Sequence, residues 1–355
     1  MYKKVKFTNF KNIKAQEIKL SLGLNLFCGK NGVGKTNILE AISILSGWGP
    51  LEKGSENLVT WGSSLRGILL AGQTEENEIV EAQIAQKTTF RFCEKRINAT
   101  ELRQKIPLLM FLPQDLEIVE GTAIARRRIL DIALSLIVPS YAYRLSEYRR
   151  AIKQKTTILK SSTNVEGNVQ LEAINKATEP LAEWIWSMRE KYIALLAEER
   201  TKNNICPYPL TLQYVKGGTT CGNQIKKSFI EAVKLQRERE LRFRYPIVGP
   251  HRDEIFLFTE GKAAKAFLSR GQRRRTAISI MLAVTDTITR KIGRTPILLL
   301  DEIMSDLDRE ARKILLAEFI KRGGQICATT TEIEEELLKE VHVERVMNVV
   351  NGAIE

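Results

Sequence analysis

Residues 27–42 read FCGKNGVGKTNILEAI, in which Gly29 is followed after four residues by Gly34, Lys35 and Thr36. The glycines stand between an apolar run, Leu24-Asn25-Leu26-Phe27, and a segment with helical spacing, Asn37 to Ile42. A buried strand, a tight loop and a helix N-terminus are therefore expected in succession. That order commits the chain to an α/β layer, in which inward-facing N–H groups and the positive end of a helix dipole make an anion site. The spacing is G-x-x-x-x-G-K-[ST], that of a phosphate loop. Gly29, Lys30, Asn31, Gly32, Val33, Gly34, Lys35, Thr36 and Asn37 form the expected nucleotide-phosphate cradle. Lys35 is placed to reach the β- and γ-phosphates and Thr36 to ligate Mg²⁺.

A second apolar run, Ile297-Leu298-Leu299-Leu300, suits a central parallel strand buried on both faces and ends at Asp301-Glu302. Where a strand ends the chain turns, so both carboxylates can approach one ligand. Asp301 suits Mg²⁺ held through water, and Glu302 suits a base that polarises the attacking water. Between the two segments lies AFLSRGQRRRTAISIMLAV, residues 266–284. Its apolar positions predict a helix starting near Gly271 and Gln272. Arg273, Arg274 and Arg275 then crowd a first turn where the dipole favours anions, an arrangement that a bound phosphate or carboxylate would relieve.

LSRGQ resembles the signature of ABC-type ATPases, and with the phosphate loop, the strand acids and SDLD it completes an ordered set. Within that class the chain resembles the RecF family, recombination mediators related to SMC heads. The resemblance is carried by FTNFKNI (7–13), GKTNILEAI (34–42), FLPQDLEIVEG (111–121), RRRILDIAL (126–134), VGPHRDEIFL (248–257), SRGQRRRTAISIMLA (269–283) and PILLLDEIMSDLD (296–308). It implies catalytic roles for Glu302, Lys35 and Gln114, with Mg²⁺ served by Thr36, Gln114 and Asp301. It also implies that Ser269, Arg270, Gly271 and Gln272 act on ATP bound by a second copy. The chain departs from the family in Asp301-Glu302, where two aspartates are usual, and in Gln114, where a Glu is usual. GWGPLEKGSEN (47–57) lacks the basic, serine-rich sequence expected there, and Thr330 stands where many ABC proteins place a histidine.

In 355 residues, Lys and Arg number 55 against 42 Asp and Glu, a net charge of +13. Such a surplus attracts polyanions, with nucleic acid or an anionic membrane as candidates. Basic clusters occur at Lys153/Lys155, Lys226/Lys227 and Arg237/Arg239/Arg242/Arg244. Of these, Lys153, Lys155, Lys226 and Lys227 are the candidate DNA contacts. No apolar run reaches the ~18 residues of a membrane span and no signal-peptide core opens the chain, so a soluble cytoplasmic protein is expected. The cysteines, Cys28, Cys93, Cys206, Cys221 and Cys327, are scattered without a C-x-x-C pair, and His251 and His342 are the only histidines. A zinc site therefore lacks its usual ligands.

The expected fold is α/β, an ABC-type, SMC-like P-loop ATPase head over 1–120 and 245–355, with a mostly helical insert over 121–244. Tyr141, Leu145, Tyr148, Ile152 and Leu159 mark one helical stripe; Ile174, Ala177, Leu181, Ile185, Met188, Tyr192 and Leu195 mark a second. The two helices are expected as a short antiparallel arm of about 30 Å each, with Pro180 kinking or restarting the second. Trp184, Trp186 and Tyr192 are assigned to packing rather than base stacking.

The functional expectation is an ATP-dependent homodimer that binds DNA at single-strand/double-strand junctions and hydrolyses ATP slowly, with RecR and RecO as protein partners and no membrane. Three alternatives stand beside it: a transporter's nucleotide-binding subunit, an ATP-gated scaffold with negligible hydrolysis, and a divergent SMC-like repair or anti-phage ATPase. The long stretch between Gln114 and Ser269 and the basic surplus weigh against the transporter.

Overall fold

The computed structural model describes residues 1–51, 58, 67–85, 87–161, 165–203, 205–206, 208–221, 224–225, 228–332, 335–341 and 343–355. Side chains are described for all of these except 165–168, 221, 224–225, 305–306, 335 and 337–338. The chain divides into two compact units, Met1–Glu117 with Arg274–Glu355, and Ile118–Arg273.

The first unit opens with β1 (Tyr2–Thr8), β2 (Gln16–Lys19), β3 (Leu24–Cys28), α1 (Lys35–Leu45), β4 (Ile68–Thr74), β5 (Ile79–Ile84), β6 (Thr88–Phe92), β7 (Lys95–Ile97), α2 (Ala99–Lys105) and β8 (Leu108–Phe111). The second holds α3 (Ala123–Ile137), α4 (Tyr141–Ser161), α5 (Val165–Thr201), β9 (Thr211–Val215), β10 (Thr220–Cys221), β11 (Gln224–Ile225), α6 (Phe229–Phe243), β12 (Glu254–Thr259), β13 (Lys262–Ala263) and α7 (Ala264–Phe267). Next comes α8 (Arg270–Ile292), and the first unit closes with β14 (Ile297–Leu300), α9 (Arg309–Lys321), β15 (Ile326–Thr330), α10 (Glu335–Val341), β16 (Arg345–Val350) and β17 (Ala353–Ile354).

Two sheets build the first unit. One is antiparallel, in the order β2-β1-β4-β5-β6-β7, and the other runs β17-β16-β3-β15-β14-β8. In the second sheet β16, β3, β15, β14 and β8 pair in parallel. Its central strands LNLFC, ICATT and ILLL are buried at every position, as parallel strands covered on both faces must be. Helix α1 is buried continuously from Ile38 to Leu45 and shares one core with both sheets, from Val5 and Leu70 on one side to Leu299 and Cys327 on the other. Truncating Leu39 in that core to Ala costs about 2–5 kcal/mol. Gln325, at the head of β15, ties the sheets together through its amide. It accepts from Tyr2 N–H at 2.9 Å and donates to Tyr2 C=O at 2.6 Å.

The second unit extends to Arg273 rather than ending at 244, because β12 pairs antiparallel with β9 and carries the β13 hairpin with it. Helices α4 and α5 pack against each other. The α4 stripe Tyr141, Leu145, Tyr148, Ile152 and Leu159 is buried as read. The α5 stripe is rotated from the expected one. Leu171, Thr178, Ala182, Ile185, Trp186, Arg189, Tyr192, Ile193 and Leu196 are buried, whereas Ala177 is exposed and Ile174, Leu181 and Met188 are half-buried. The reason is that α5 packs on several partners, α3, α4, α6 and β9, and so buries a wider face than a two-helix arm would. It is also longer, 37 residues or about 55 Å, and runs through Pro180 without restarting.

At the centre of this unit the buried Arg189 guanidinium donates to Asp131 Oδ1 at 2.8 Å, to Asp253 Oδ2 at 2.6 Å and to Pro250 C=O at 2.6 Å. Asp253 is further held by Trp186 Nε1 and Gly217 N–H, each at 2.8 Å, and by Tyr214. Trp186 thus packs in the interior, as expected, and its indole N–H is satisfied there. Among the described residues no helix is long and apolar enough to cross a membrane, and no cluster of three or more His, Cys, Asp or Glu could hold a metal ion.

Candidate nucleotide site

The phosphate loop leaves the carboxyl end of β3 and enters α1, the crevice where parallel α/β sheets place their ligands. Two glycines there are forced by close approach. A Cβ on Gly29 would collide with the Val349 carbonyl. Gly34, the N-cap of α1, has φ +112°, and a Cβ there would lie 2.8 Å from Asn12 Oδ1. Asn12 brackets the loop, accepting from Asn37 Nδ2 at 2.7 Å and donating to Gly32 C=O at 3.4 Å. Its motif, FTNFKNI, was visible in the sequence, but only the fold brings residue 12 to the loop. Lys30, Asn31 and Gly32 lie at the surface and Val33 is half-buried.

Lys35 is buried, and its ammonium donates to the loop's own carbonyls, Gly29 at 2.8 Å and Lys30 at 3.0 Å. It also lies 3.6 Å from Glu302 Oε1. These acceptors hold the charge where phosphate oxygens would compete for it. The sheet order β3-β15-β14 then sets β15 between the loop and the strand acids. Thr36 Oγ1 donates to Asp301 Oδ1 at 3.0 Å, and Thr329 Oγ1, from β15, donates to the same oxygen at 2.9 Å. Thr329 also accepts from Glu302 N–H at 2.8 Å. Glu302 has a left-handed backbone, φ +48°, a conformation uncommon for a side chain of this kind and characteristic of functional turns. Its side chain is 37% exposed.

Burial pushes the Asp301 carboxyl above the ordinary range; the hydroxyls of Thr329 and Thr36 pull it back, Glu302 adds an upward push and Lys35 a downward one. A hydroxyl and a carboxylate oxygen converging in this way form the hard-oxygen donor set that Mg²⁺ takes, so the residues present fit the metal.

Thr329, rather than Thr330, faces this site. Thr330 Oγ1 donates to Glu332 C=O at 2.9 Å, and only its carbonyl serves the loop, accepting from Gly29 N–H at 3.2 Å. Gln114 is exposed in the 3₁₀ turn Pro113–Glu117 that follows β8. Ser269 and Gln272 cap the start of α8 reciprocally: Ser269 N–H donates to Gln272 Oε1 at 2.8 Å and Gln272 N–H to Ser269 Oγ at 3.3 Å. Arg270 and Gly271 are exposed. The crowded arginines find a carboxylate within the chain, since Arg273 pairs with Glu120 at 2.9 Å.

The candidate DNA contacts divide. Lys153 is exposed. Lys155 is not a surface residue: it is fully buried and pairs with Glu240 at 2.7 Å, so it cannot meet a phosphate backbone. Lys226 and Lys227, and residues 52–57 of the atypical stretch, lie outside the described residues. Cys28, Cys206 and Cys327 are buried free thiols and Cys93 is an exposed one.

A model of the AAA ATPase domain family matches residues 1–240. The DNA replication and repair protein RecF of Lysinibacillus sphaericus is 30% identical over 370 residues, covering 99% of this chain and 98% of its own. Its namesake from Geobacillus kaustophilus is 29% identical over 361 residues, covering 96% and 95%. Among solved structures, the recombination mediator RecF-ATPrS in the RecFOR pathway has a TM-score of 0.87 at 22% identity, covering 100% of this chain and 97% of that one. An Smc head bound to the C-winged helix domain of ScpA has a TM-score of 0.55 at 14% identity, covering 100% and 96%. The ABC-type, SMC-like architecture read from the motifs is the architecture found.

Proposed function

The chain belongs to the RecF family of DNA replication and repair proteins, and on that premise we propose that it binds ATP and uses it to close two copies of itself on DNA. The observation that carries this reading is the bonded series Thr36–Asp301–Thr329–Glu302, which joins the phosphate loop to the strand acids.

ATP's phosphates lie in the loop of residues 29–36, against its N–H groups and the N-terminus of α1. Lys35 exchanges loop carbonyls for phosphate oxygens. Thr36 and Asp301 would hold Mg²⁺, which would supply positive charge to offset that of the phosphates. Glu302, oriented by its Thr329 bond and its left-handed backbone, takes the proton of the attacking water, and Gln114 contacts the γ-phosphate side. Ser269 and Gly271 of the second copy complete the site in trans, so ATP holds the pair together and hydrolysis releases it. Slow, DNA-stimulated turnover follows when closure limits the rate.

The net charge of +13 supplies the attraction to DNA, and Lys153 remains a candidate contact. A junction between single- and double-stranded DNA is the proposed substrate. RecR and RecO are the proposed protein partners, since the pathway named for the structural relative is RecFOR. Phosphate release by the full chain, with a tailed duplex and without DNA, tests the reading. Release that rises with DNA supports it, and an absence of both hydrolysis and DNA binding refutes it.

A further inference from the structure

We propose that the C-terminal end of α6 is a base-stacking platform for single-stranded DNA, formed by Phe243 and Tyr245 together with Arg242, Arg244 and Arg252. The proposal rests on the reading that this chain binds DNA, and adds where and how an unpaired strand is held.

The segment LRFRY, residues 241–245, alternates large apolar side chains with arginines. Helix α6 stops at Phe243 because Arg244 turns into the left-handed region, φ +52°, with its N–H closing on Glu240 C=O. All five side chains consequently lie at the surface. Phe243 is 58% exposed, Tyr245 40% and Leu241 37%. Single exposed apolar residues are ordinary; two rings and a leucine within one turn of chain are a patch that asks for a partner.

The arginines say what kind of partner. Arg252 sits 4.4 Å from the Tyr245 ring centre and Arg242 5.8 Å from that of Phe243, within cation–π range. No acid interrupts 241–245. A duplex offers phosphates to the guanidiniums and leaves the rings in water, because its bases are already stacked. An acidic peptide likewise satisfies only the charges. An unpaired strand supplies both complements, phosphates for the arginines and π faces for the rings.

The platform is also held from beneath. The Glu240 carboxylate accepts from Ile247 N–H at 2.8 Å and Val248 N–H at 3.3 Å, and its other oxygen pairs with Lys155 at 2.7 Å, out of contact with solvent. The turn that carries the rings is therefore braced on both sides of Arg244, and little ordering remains to be done when a base stacks. On this view the buried Lys155 serves DNA binding by positioning the platform without touching DNA.

The test compares the full chain, with ATP, on a blunt duplex and on the same duplex carrying an oligo-dT tail. Phe243→Ala/Tyr245→Ala is expected to weaken binding to the tailed duplex about tenfold or more while changing the blunt duplex by less than about twofold. Its salt dependence stays that of wild type, since no phosphate contact is removed. Phe243→Trp/Tyr245→Trp is expected to keep tail affinity. Unchanged affinity of the alanine variant for the tail, or equal losses on both DNAs, overturns the platform while leaving DNA binding intact. A wild-type chain that binds neither DNA overturns the functional reading and the platform together. Loss confined to anionic vesicles or to an acidic peptide assigns the patch to that partner and overturns the proposal.

Discussion

Thr36 and Asp301, 265 positions apart in sequence, are joined by a 3.0 Å hydrogen bond from hydroxyl to carboxylate. One residue lies in the first turn of the helix behind the phosphate loop and the other follows β14, two strands away from β3 in the parallel sheet, so the bond records how the fold assembles a site from distant segments. Thr329, on the strand between them, donates to the same Asp301 oxygen at 2.9 Å. The sheet thus brings two hydroxyls and a carboxylate to one point beside the phosphate loop, a placement supplied by folding.

Lys35 makes the first prediction. Among the described residues its ammonium is held by loop carbonyls and Glu302, so Lys35→Ala leaves the fold in place and removes two or more charge-assisted bonds to phosphate. At about 1.5 kcal/mol each, that is a loss of about 100-fold in ATP affinity. Calorimetric titration reads it directly; wild-type affinity in the variant contradicts the site.

Thr329 and Thr330 make the second, as a contrast. Thr329→Val keeps shape but strips a donor from Asp301 and an acceptor from Glu302 N–H, and the displaced carboxylates lower turnover about tenfold to a hundredfold. Thr330→Val, whose hydroxyl serves Glu332 instead, leaves turnover near wild type. Steady-state ATP hydrolysis by the two variants and by Thr329→Ser, which restores the hydroxyl, settles which threonine serves the site.

That contrast also shows where sequence reading stops. The phosphate loop and the strand acids were legible because each is local, a few residues whose spacing carries its own chemistry. Which of Thr329 and Thr330 faces the acids depends on the phase of β15, and the phase is set by register with β3 and β14, which no local pattern contains. Lys155 reads as a basic surface residue until Glu240 is found against it. Asn12 gains its role from the approach of the segment after β1 to the loop. The α5 stripe was misphased for a related reason: a polar Arg189 occupies the most buried line of the helix, held there by Asp131 and Asp253, and apolar periodicity steps around it.

The third prediction concerns that arginine. Arg189→Met strands Asp131 and Asp253 in the interior without their shared cation, and removing one partner from a buried charge network costs about 3–5 kcal/mol. Urea denaturation of the full chain measures it. A loss well under ~1 kcal/mol would mean the network is of the kind that hydrophobic packing replaces freely.

His251 gives a pH dependence. Burial lowers its pKa from 6.5 to about 4, and its ring nitrogens meet Tyr148 Oη at 2.6 Å and Pro246 C=O at 3.1 Å. The unfolded chain therefore takes up a proton there before the folded chain does. The folded state keeps its full advantage above pH 6.5, loses it as pH falls from 6.5 towards 4, and loses no more below. The slope is at most ~1.4 kcal/mol per pH unit and the total at most about 3.5 kcal/mol. His251→Gln is expected to flatten this part of the stability profile between pH 7 and 4.5; a variant whose profile still tracks wild type contradicts the assignment.

The central claim, that ATP joins two copies of this chain and hydrolysis parts them, is tested most directly by sedimentation of the full chain with ATP, with ADP and without nucleotide, each with and without DNA. The account predicts a dimer with ATP that persists in Glu302→Gln, where the base is lost but the shape is kept. It predicts a monomer with ADP, and a monomer even with ATP in Ser269→Arg, which still binds the nucleotide. A wild-type mass that is the same in all three nucleotide states, or a fully dimeric Ser269→Arg, contradicts it.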